Sequence, residues 1–125
     1  MMHTKLVAQV ESYFAAVDRK DLSSTLAFFA GDASFTIASY QSVFRGRDTE
    51  IAGVFERLFQ RYDSIYHGNF DHFLVSEDRI ASRFDVRNGL AGLPTVHKCN
   101  ANFFKLKDGL FQEVFVYMSG DNSLA

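Results

Sequence analysis

Residues 95–118 read TVHKCNANFFKLKDGLFQEVFVYM. Two stretches with a period of two flank the turn signal Lys107-Asp108-Gly109, which predicts antiparallel strands over about 95–107 and 110–118. On the second strand, Phe111, Phe115 and Tyr117 are expected on one face and Val114, Val116 and Met118 on the other. Both faces are then apolar. A sheet wetted on one side alternates apolar with polar residues, so this pattern predicts cover on both sides. Helices from the same chain supply one cover, and a second copy of the chain is the simplest source of the other.

Upstream, the same period of two predicts strands over about 65–76 and 79–88. Glu77-Asp78 is the turn between them, and Gly89 to Pro94 form a longer connection to residue 95. The four strands make a continuous meander. Before Asp63 the period is helical. A first helix is expected from about Thr4 to Arg19, with Leu6, Val10, Tyr13, Phe14 and Val17 on its apolar face. Asp21 is a good N-cap for a short second helix striped by Leu22, Leu26 and Phe29, with Gly31 as its left-handed stop. A strand over Ala33 to Ala38 follows, then a loop through Arg45-Gly46-Arg47-Asp48. The third helix carries Ile51, Val54, Phe55, Leu58 and Tyr62 inward. Helices first and strands afterwards predict an α+β fold, with the helices on one face of a mostly antiparallel sheet. No repeat or linker divides the 125 residues, so one domain over residues 1–125 is expected.

Composition narrows the function. Apolar residues are 47% and charged residues 22% of the chain, a globular balance. No run of about 18 apolar residues is present, so no membrane partner is expected. The net charge of −2 comes with scattered Lys and Arg, so no nucleic-acid partner is expected either. Glu11 falls too early for a secretory signal core, and a single cysteine, Cys99, forms no internal disulfide; both point to the cytoplasm. There are 14 Phe and 5 Tyr but no Trp. Large flat rings therefore supply much of the apolar volume, and what they surround becomes the question.

Helix, short helix, strand, helix and four long strands is an order that resembles the nuclear transport factor 2-like superfamily, in particular its SnoaL-like and ketosteroid isomerase-like members. Tyr13-Phe14-Ala15-Ala16-Val17-Asp18-Arg19-Lys20-Asp21-Leu22 resembles the junction of the first two helices in ketosteroid isomerases. Phe44-Arg45-Gly46-Arg47-Asp48 resembles the start of the third helix, and Lys107-Asp108-Gly109 the last hairpin. The resemblance covers nearly the whole chain. It implies a cone, in which a curved sheet wraps an apolar pocket and the three N-terminal helices, and often a homodimer through the convex sheet face. Phe14, Phe35, Ile37, Phe55, Phe59, Phe104, Val116 and Met118 would line such a pocket. The scaffold hosts isomerases, dehydratases, cyclases, hydrolases and plain binding modules, so the site must decide.

In the isomerase members a carboxylate base works beside a phenol and an acid that stabilise a developing enolate. By this resemblance Tyr13 takes the phenol position and Asn102 the acid position, where an amide can also donate. The base position falls near Ile37, which takes no proton. Read without the resemblance, Tyr13 is a core residue with a satisfied hydroxyl and Asn102 a strand-end amide. Ser82-Arg83-Phe84-Asp85-Val86 resembles a strand of limonene epoxide hydrolase, with Arg83 and Asp85 at its motif positions. The second aspartate of that mechanism is replaced by Val116, and its tyrosine and asparagine fall near Phe35 and Ile37.

Strand parity makes Arg83 and Asp85 decisive. Ile80, Ser82, Phe84 and Val86 share one face, and Arg83, Asp85 and Arg87 share the other. An inward Arg83–Asp85 pair would be costly to desolvate and would signal function. An outward pair would belong to an interface or a surface. His67, His72 and His97 are further candidate bases. His97 and Cys99 share a face but make no zinc motif, and Cys99 reads as a buried structural thiol. With no phosphate loop, dinucleotide fingerprint or nucleophile elbow, no cofactor or metal is implied.

The expected function is binding of an apolar, cyclic or aromatic small molecule, with a proton-transfer isomerisation, cyclisation or dehydration. Tyr13 and Asn102 would polarise an oxygen, Asp85 or a histidine would be the base, and Arg83 its electrostatic partner. A non-catalytic binding module and an epoxide hydrolase built on Arg83 and Asp85 are the alternatives.

Overall fold

The computed structural model describes the backbone of residues 2–125 and the side chains of residues 5–125. Helix α1 spans Met2–Asp18, α2 Leu22–Leu26 and α3 Ala52–Arg61. The strands are β1 Phe29–Ile37, β2 Ser42–Arg45, β3 Ser64–Ser76, β4 Arg79–Gly89, β5 Val96–Lys107 and β6 Leu110–Met118. They form one curved sheet in the order β2-β1-β6-β5-β4-β3. The predicted meander β3–β6 is present, and β1 extends it by pairing parallel to β6. Asp108 and Gly109 both adopt positive φ, which makes the Asp-Gly hairpin a two-residue turn matched to the strand twist.

Three predicted details change. The strand after α2 begins at Phe29, four residues before Ala33, because the helix already ends at Ala27. Gly31 lies within β1 and stops nothing. The stretch after it also contains β2, a short strand whose Val43 is exposed, so it carries no strong alternation. The third helix is preceded by a wide turn over Gly46–Ile51, and Tyr62 lies beyond its end in extended conformation.

Two bulges decide which residues face inward. In β3, Gly68 pairs with Asp85 but Asp71 with Arg83, so β3 carries one extra residue there. Asn69 absorbs it at φ 54°, a left-handed conformation that asparagine tolerates, and its Nδ2 donates to Asp85 Oδ2 at 3.1 Å. A Cβ at Gly68 would meet the ring of Tyr66, which lies over it on the outer face, so a larger residue there would have to push that exposed ring aside. In β6, Lys105 pairs with Glu113 and Leu106 with Phe111, which places an extra residue at Gln112. Phe111 therefore turns inward and is 0% exposed, not on the outer face with Phe115 and Tyr117.

The core lies between the concave sheet face and the helices. Tyr13 stands at its centre, with ring neighbours Phe14, Phe28, Phe29, Phe55, Phe104 and Phe111 at 4.8–6.2 Å, mostly edge to face. Such tilted pairs contribute beyond their buried area.

Asp21 caps α2, accepting from Ser24 N at 3.1 Å and Ser24 Oγ at 2.7 Å. These bonds from Ser24, aided by Arg19, hold its carboxyl below the ordinary value. The folded-state pKa is thus below the unfolded one, so the cap contributes fully above about pH 4 and is lost as pH falls through the folded value. Asn caps equally well without titrating. The melting-temperature difference between wild type and Asp21→Asn is therefore expected to move in the variant's favour from pH 6 to pH 2. A pH-independent difference would show that the ionised cap contributes nothing.

Candidate functional site

The sites on the inner face follow from the β3 bulge. Residues 67 and 72 differ in parity, so an unbroken strand would send them to opposite faces. The extra residue brings both inward, and each meets a carboxylate of α1. His67 Nδ1 lies 2.6 Å from Asp18 Oδ1, and the His67 backbone N–H donates to Asp18 Oδ2 at 3.0 Å. His72 Nε2 lies 2.8 Å from Glu11 Oε2, and its Nδ1 2.7 Å from Ser82 Oγ. Glu11 and Asp18 are seven residues apart, two turns of one helix face.

An ionised carboxylate only accepts, so Asp18 receives the Nδ1 proton of His67 and leaves Nε2 as the basic nitrogen of the neutral ring. The ring is fixed by stacking on Phe14 at 4.7 Å. His67 lines a small interior cavity of about 30 Å³, together with Tyr13, Phe14, Val17, Phe35, Phe55 and Leu58. Phe84, Asn100, Asn102, Val116 and Leu124 complete the wall. This is room for a water molecule or two.

The polar groups of the wall are poised rather than neutralised. Tyr13 is 2% exposed, and burial pushes its phenol well above the ordinary value, so it remains a neutral donor. Asn102, 3% exposed, has an Oδ1 with no hydrogen-bond partner among the described residues. Two other buried atoms share that state, Thr25 Oγ1 and Asn88 Oδ1, but neither residue lines the cavity. An unpaired buried acceptor costs about 1–3 kcal/mol, which a ligand or water donor would recover.

The structure thus brings Tyr13, Asn102, Phe14, Phe35, Phe55 and Val116 to one cavity. Ile37, Phe104 and Met118 are buried in the core behind the wall, and Phe59 is half-buried beside Phe55. Arg83 and Asp85 do not join them. Both lie on the outer face, where Arg83 pairs with Asp71 at 3.1 Å and Asp85 holds the Asn69 bulge. The pair with Asp71 is exposed on both sides and contributes little. Phe84 and Val86 take the inner positions, so the epoxide-hydrolase arrangement has no site and Asp85 is no base here. His97 and Cys99 are also on the outer face, and Cys99 is exposed, not a buried thiol. Sequence reasoning named His67 as one base among three but missed Asp18. The signal was the Glu11/Asp18 spacing on α1 facing two histidines of one strand.

The profile of the SnoaL-like domain family matches residues 10–114. The chain belongs to the SnoaL-like domain family. Solved structures agree on the fold. A candidate polyketide cyclase from Xanthomonas campestris pv. campestris is 21% identical with TM-score 0.79, covering 94% of this chain and 92% of that one. Another from Pseudomonas putida KT2440 is 22% identical with TM-score 0.74 and 87% coverage of both chains. A hypothetical protein of ketosteroid isomerase-like fold from Catenulispora acidiphila, solved with trimethylamine, is 14% identical with TM-score 0.77, covering 87% of this chain and 83% of that one. No curated protein matches the sequence. Among the described residues, no helix is long and apolar enough to cross a membrane.

Proposed function

We propose that this SnoaL-like protein, as a single domain, binds an apolar cyclic or aromatic molecule inside the sheet and transfers a proton on it. The reaction class is isomerisation, cyclisation or dehydration through an enolate or enol. The observation that carries this reading is the convergence of three groups on one apolar cavity: the His67 imidazole set by Asp18, the neutral Tyr13 phenol and the unpaired Asn102 oxygen. His67 Nε2 removes a proton from carbon next to a carbonyl. The Tyr13 hydroxyl donates to the oxygen that gains charge, in surroundings that exclude water. Asn102 Oδ1 accepts from a hydroxyl or N–H of the ligand and fixes its orientation. A plain binding module has no need of an ordered His–Asp pair on its wall, which favours the catalytic reading.

Asn102→Leu tests it, because the two roles of Asn102 have opposite signs. Removing an unpaired buried oxygen is expected to stabilise the free protein by about 1 kcal/mol. The same change is expected to weaken binding of ligands that carry a donor by about tenfold or more. Thermal melting with and without ligand checks both. A lower melting temperature in the free variant would make Asn102 a structural residue.

The outer sheet face supports a homodimer. It exposes Tyr66, Phe73, Val75, Phe103 and Tyr117, with Phe103 and Tyr117 in edge-to-face contact at 5.6 Å. A second copy seated on this face would cover these rings. Light scattering at tens of micromolar is expected to give twice the chain mass, and a monomer would contradict the dimer. The accessible, unbridged thiol of Cys99 fits a reducing cytoplasm.

A further inference from the structure

Residues 119–125 follow β6 without forming strand or helix, yet they bring Leu124 to the cavity wall. Leu124 is part of the cavity wall, and Ser123 is buried beside it. The segment is held by side chains that donate to its backbone oxygens. Lys98 Nζ donates to Ser119 O at 2.7 Å and also to Asp121 O, and Tyr40 Oη donates to Gly120 O. Arg61 donates from Nη1 to Ser123 O at 2.9 Å and from Nη2 to Ala125 O at 2.6 Å. Gly120 sits at φ 69°, and a Cβ there would approach Lys98 Nζ to 3.1 Å. So small a buried apolar contribution, with no sheet pairing, belongs to the low-stability end of local opening.

Each of the two cations lies close along the chain to a residue of the cavity wall. Leu58 lines it, and Arg61 is one helical turn further along α3; Asn100 lines it, and Lys98 is two residues back on the same face of β5. Both cations are satisfied by tail oxygens. A ligand carboxylate is a stronger acceptor for guanidinium and ammonium than the neutral carbonyls of Ser119, Asp121 and Ser123. The segment thus combines what a ligand would supply: an apolar side chain at the cavity wall and oxygens on two nearby cations.

We propose that residues Ser119–Ala125 are a displaceable plug, and that the molecule that displaces it is an apolar carboxylic acid with its ring in place of Leu124 and its carboxylate on Lys98 and Arg61. The proposal rests on the reading of the interior as a ligand site. It names the class of ligand and explains how a cavity of about 30 Å³ admits one.

The test uses the full chain with 2-naphthoate and its uncharged analogue 2-naphthylmethanol, followed by calorimetry and amide hydrogen exchange. The acid is expected to bind at least tenfold more tightly than the alcohol and to raise exchange across residues 119–125. Arg61→Met and Lys98→Met each remove a partner of the acid and also an anchor of the plug, so each is expected to cut the preference for acid over alcohol about tenfold, with the alcohol bound at least as tightly as by wild type. Leu124→Gly, with its fold checked by a cooperative melt, is expected to tighten both by weakening the plug. Equal affinity for acid and alcohol with the tail displaced would refute the acid and leave the interior site standing. Binding of the acid with the tail still protected would refute the plug. Failure of both compounds to bind even Leu124→Gly would overturn the interior site and the plug together.

Discussion

His67→Gln is expected to slow enzyme-catalysed exchange of protons next to a carbonyl by about 10²–10⁴-fold while ligand affinity changes little. Glutamine fills the same space and can still touch Asp18, but it has no titratable nitrogen. The companion variant Asp18→Asn separates base chemistry from simple packing. Its amide oxygen can accept from the His67 backbone N–H, as Asp18 Oδ2 does at 3.0 Å, and its NH₂ can donate to Nδ1. Both contacts survive, but the ring now carries its proton on Nε2 and has no free lone pair toward the ligand. Exchange is therefore expected to fall by at least about 10²-fold with a nearly unchanged melt. Deuterium uptake from D₂O into cyclic enones and β-dicarbonyl compounds, followed by NMR, reads this without knowledge of the final product. Equal uptake by wild type and both variants would remove His67 from the chemistry.

Phe111→Ala is expected to cost about 3–5 kcal/mol, among the largest effects of any single substitution here. The ring is 0% exposed and sits among Tyr13 at 5.3 Å, Phe29 at 5.6 Å and Phe104 at 4.7 Å. Such a loss is a large share of the total stability of about 5–15 kcal/mol usual for a domain. Tyr117→Ala, on the same strand but 49% exposed, is expected to stay within about 0.5 kcal/mol at low protein concentration. Its effect should grow with concentration if the outer face holds a second copy. Urea unfolding of both variants decides the matter. Similar costs for Phe111 and Tyr117 at low concentration would mean that the Gln112 bulge does not turn Phe111 inward.

The contrast between Phe111 and Tyr117 shows where the sequence was legible. Alternation located all four long strands, and the helical stripe Leu6, Val10, Tyr13, Phe14 and Val17 located α1, because each pattern repeats enough to identify its period. A single inserted residue escapes that reading. Parity counted from Phe115 or Tyr117 places Phe111 outside, and only the extra residue at Gln112 reverses it. The same device in β3 makes His67 and His72 neighbours of α1, and nothing in residues 67–72 beyond Gly68-Asn69 announces it. The resemblance points to Tyr13 and Asn102, and the cavity brings them together. Arg83 and Asp85 turn on parity alone, which allows two outcomes, and Phe84 on the inner face decides between them. The tail beyond Met118 has no periodicity, and its place over the cavity depends on Arg61 and Lys98, which are far away in the chain.

The proposed chemistry depends on Asp18 holding His67 with Nε2 as a free base toward the cavity. Nitrogen-15 NMR of the histidine side chains at neutral pH tests this most directly, in the free protein and with a bound aromatic acid. The arrangement predicts a His67 ring protonated at Nδ1 and unprotonated at Nε2, with the Nε2 resonance moving when ligand binds. A ring protonated at Nε2, or an Nε2 resonance indifferent to a ligand bound inside the sheet, would contradict it.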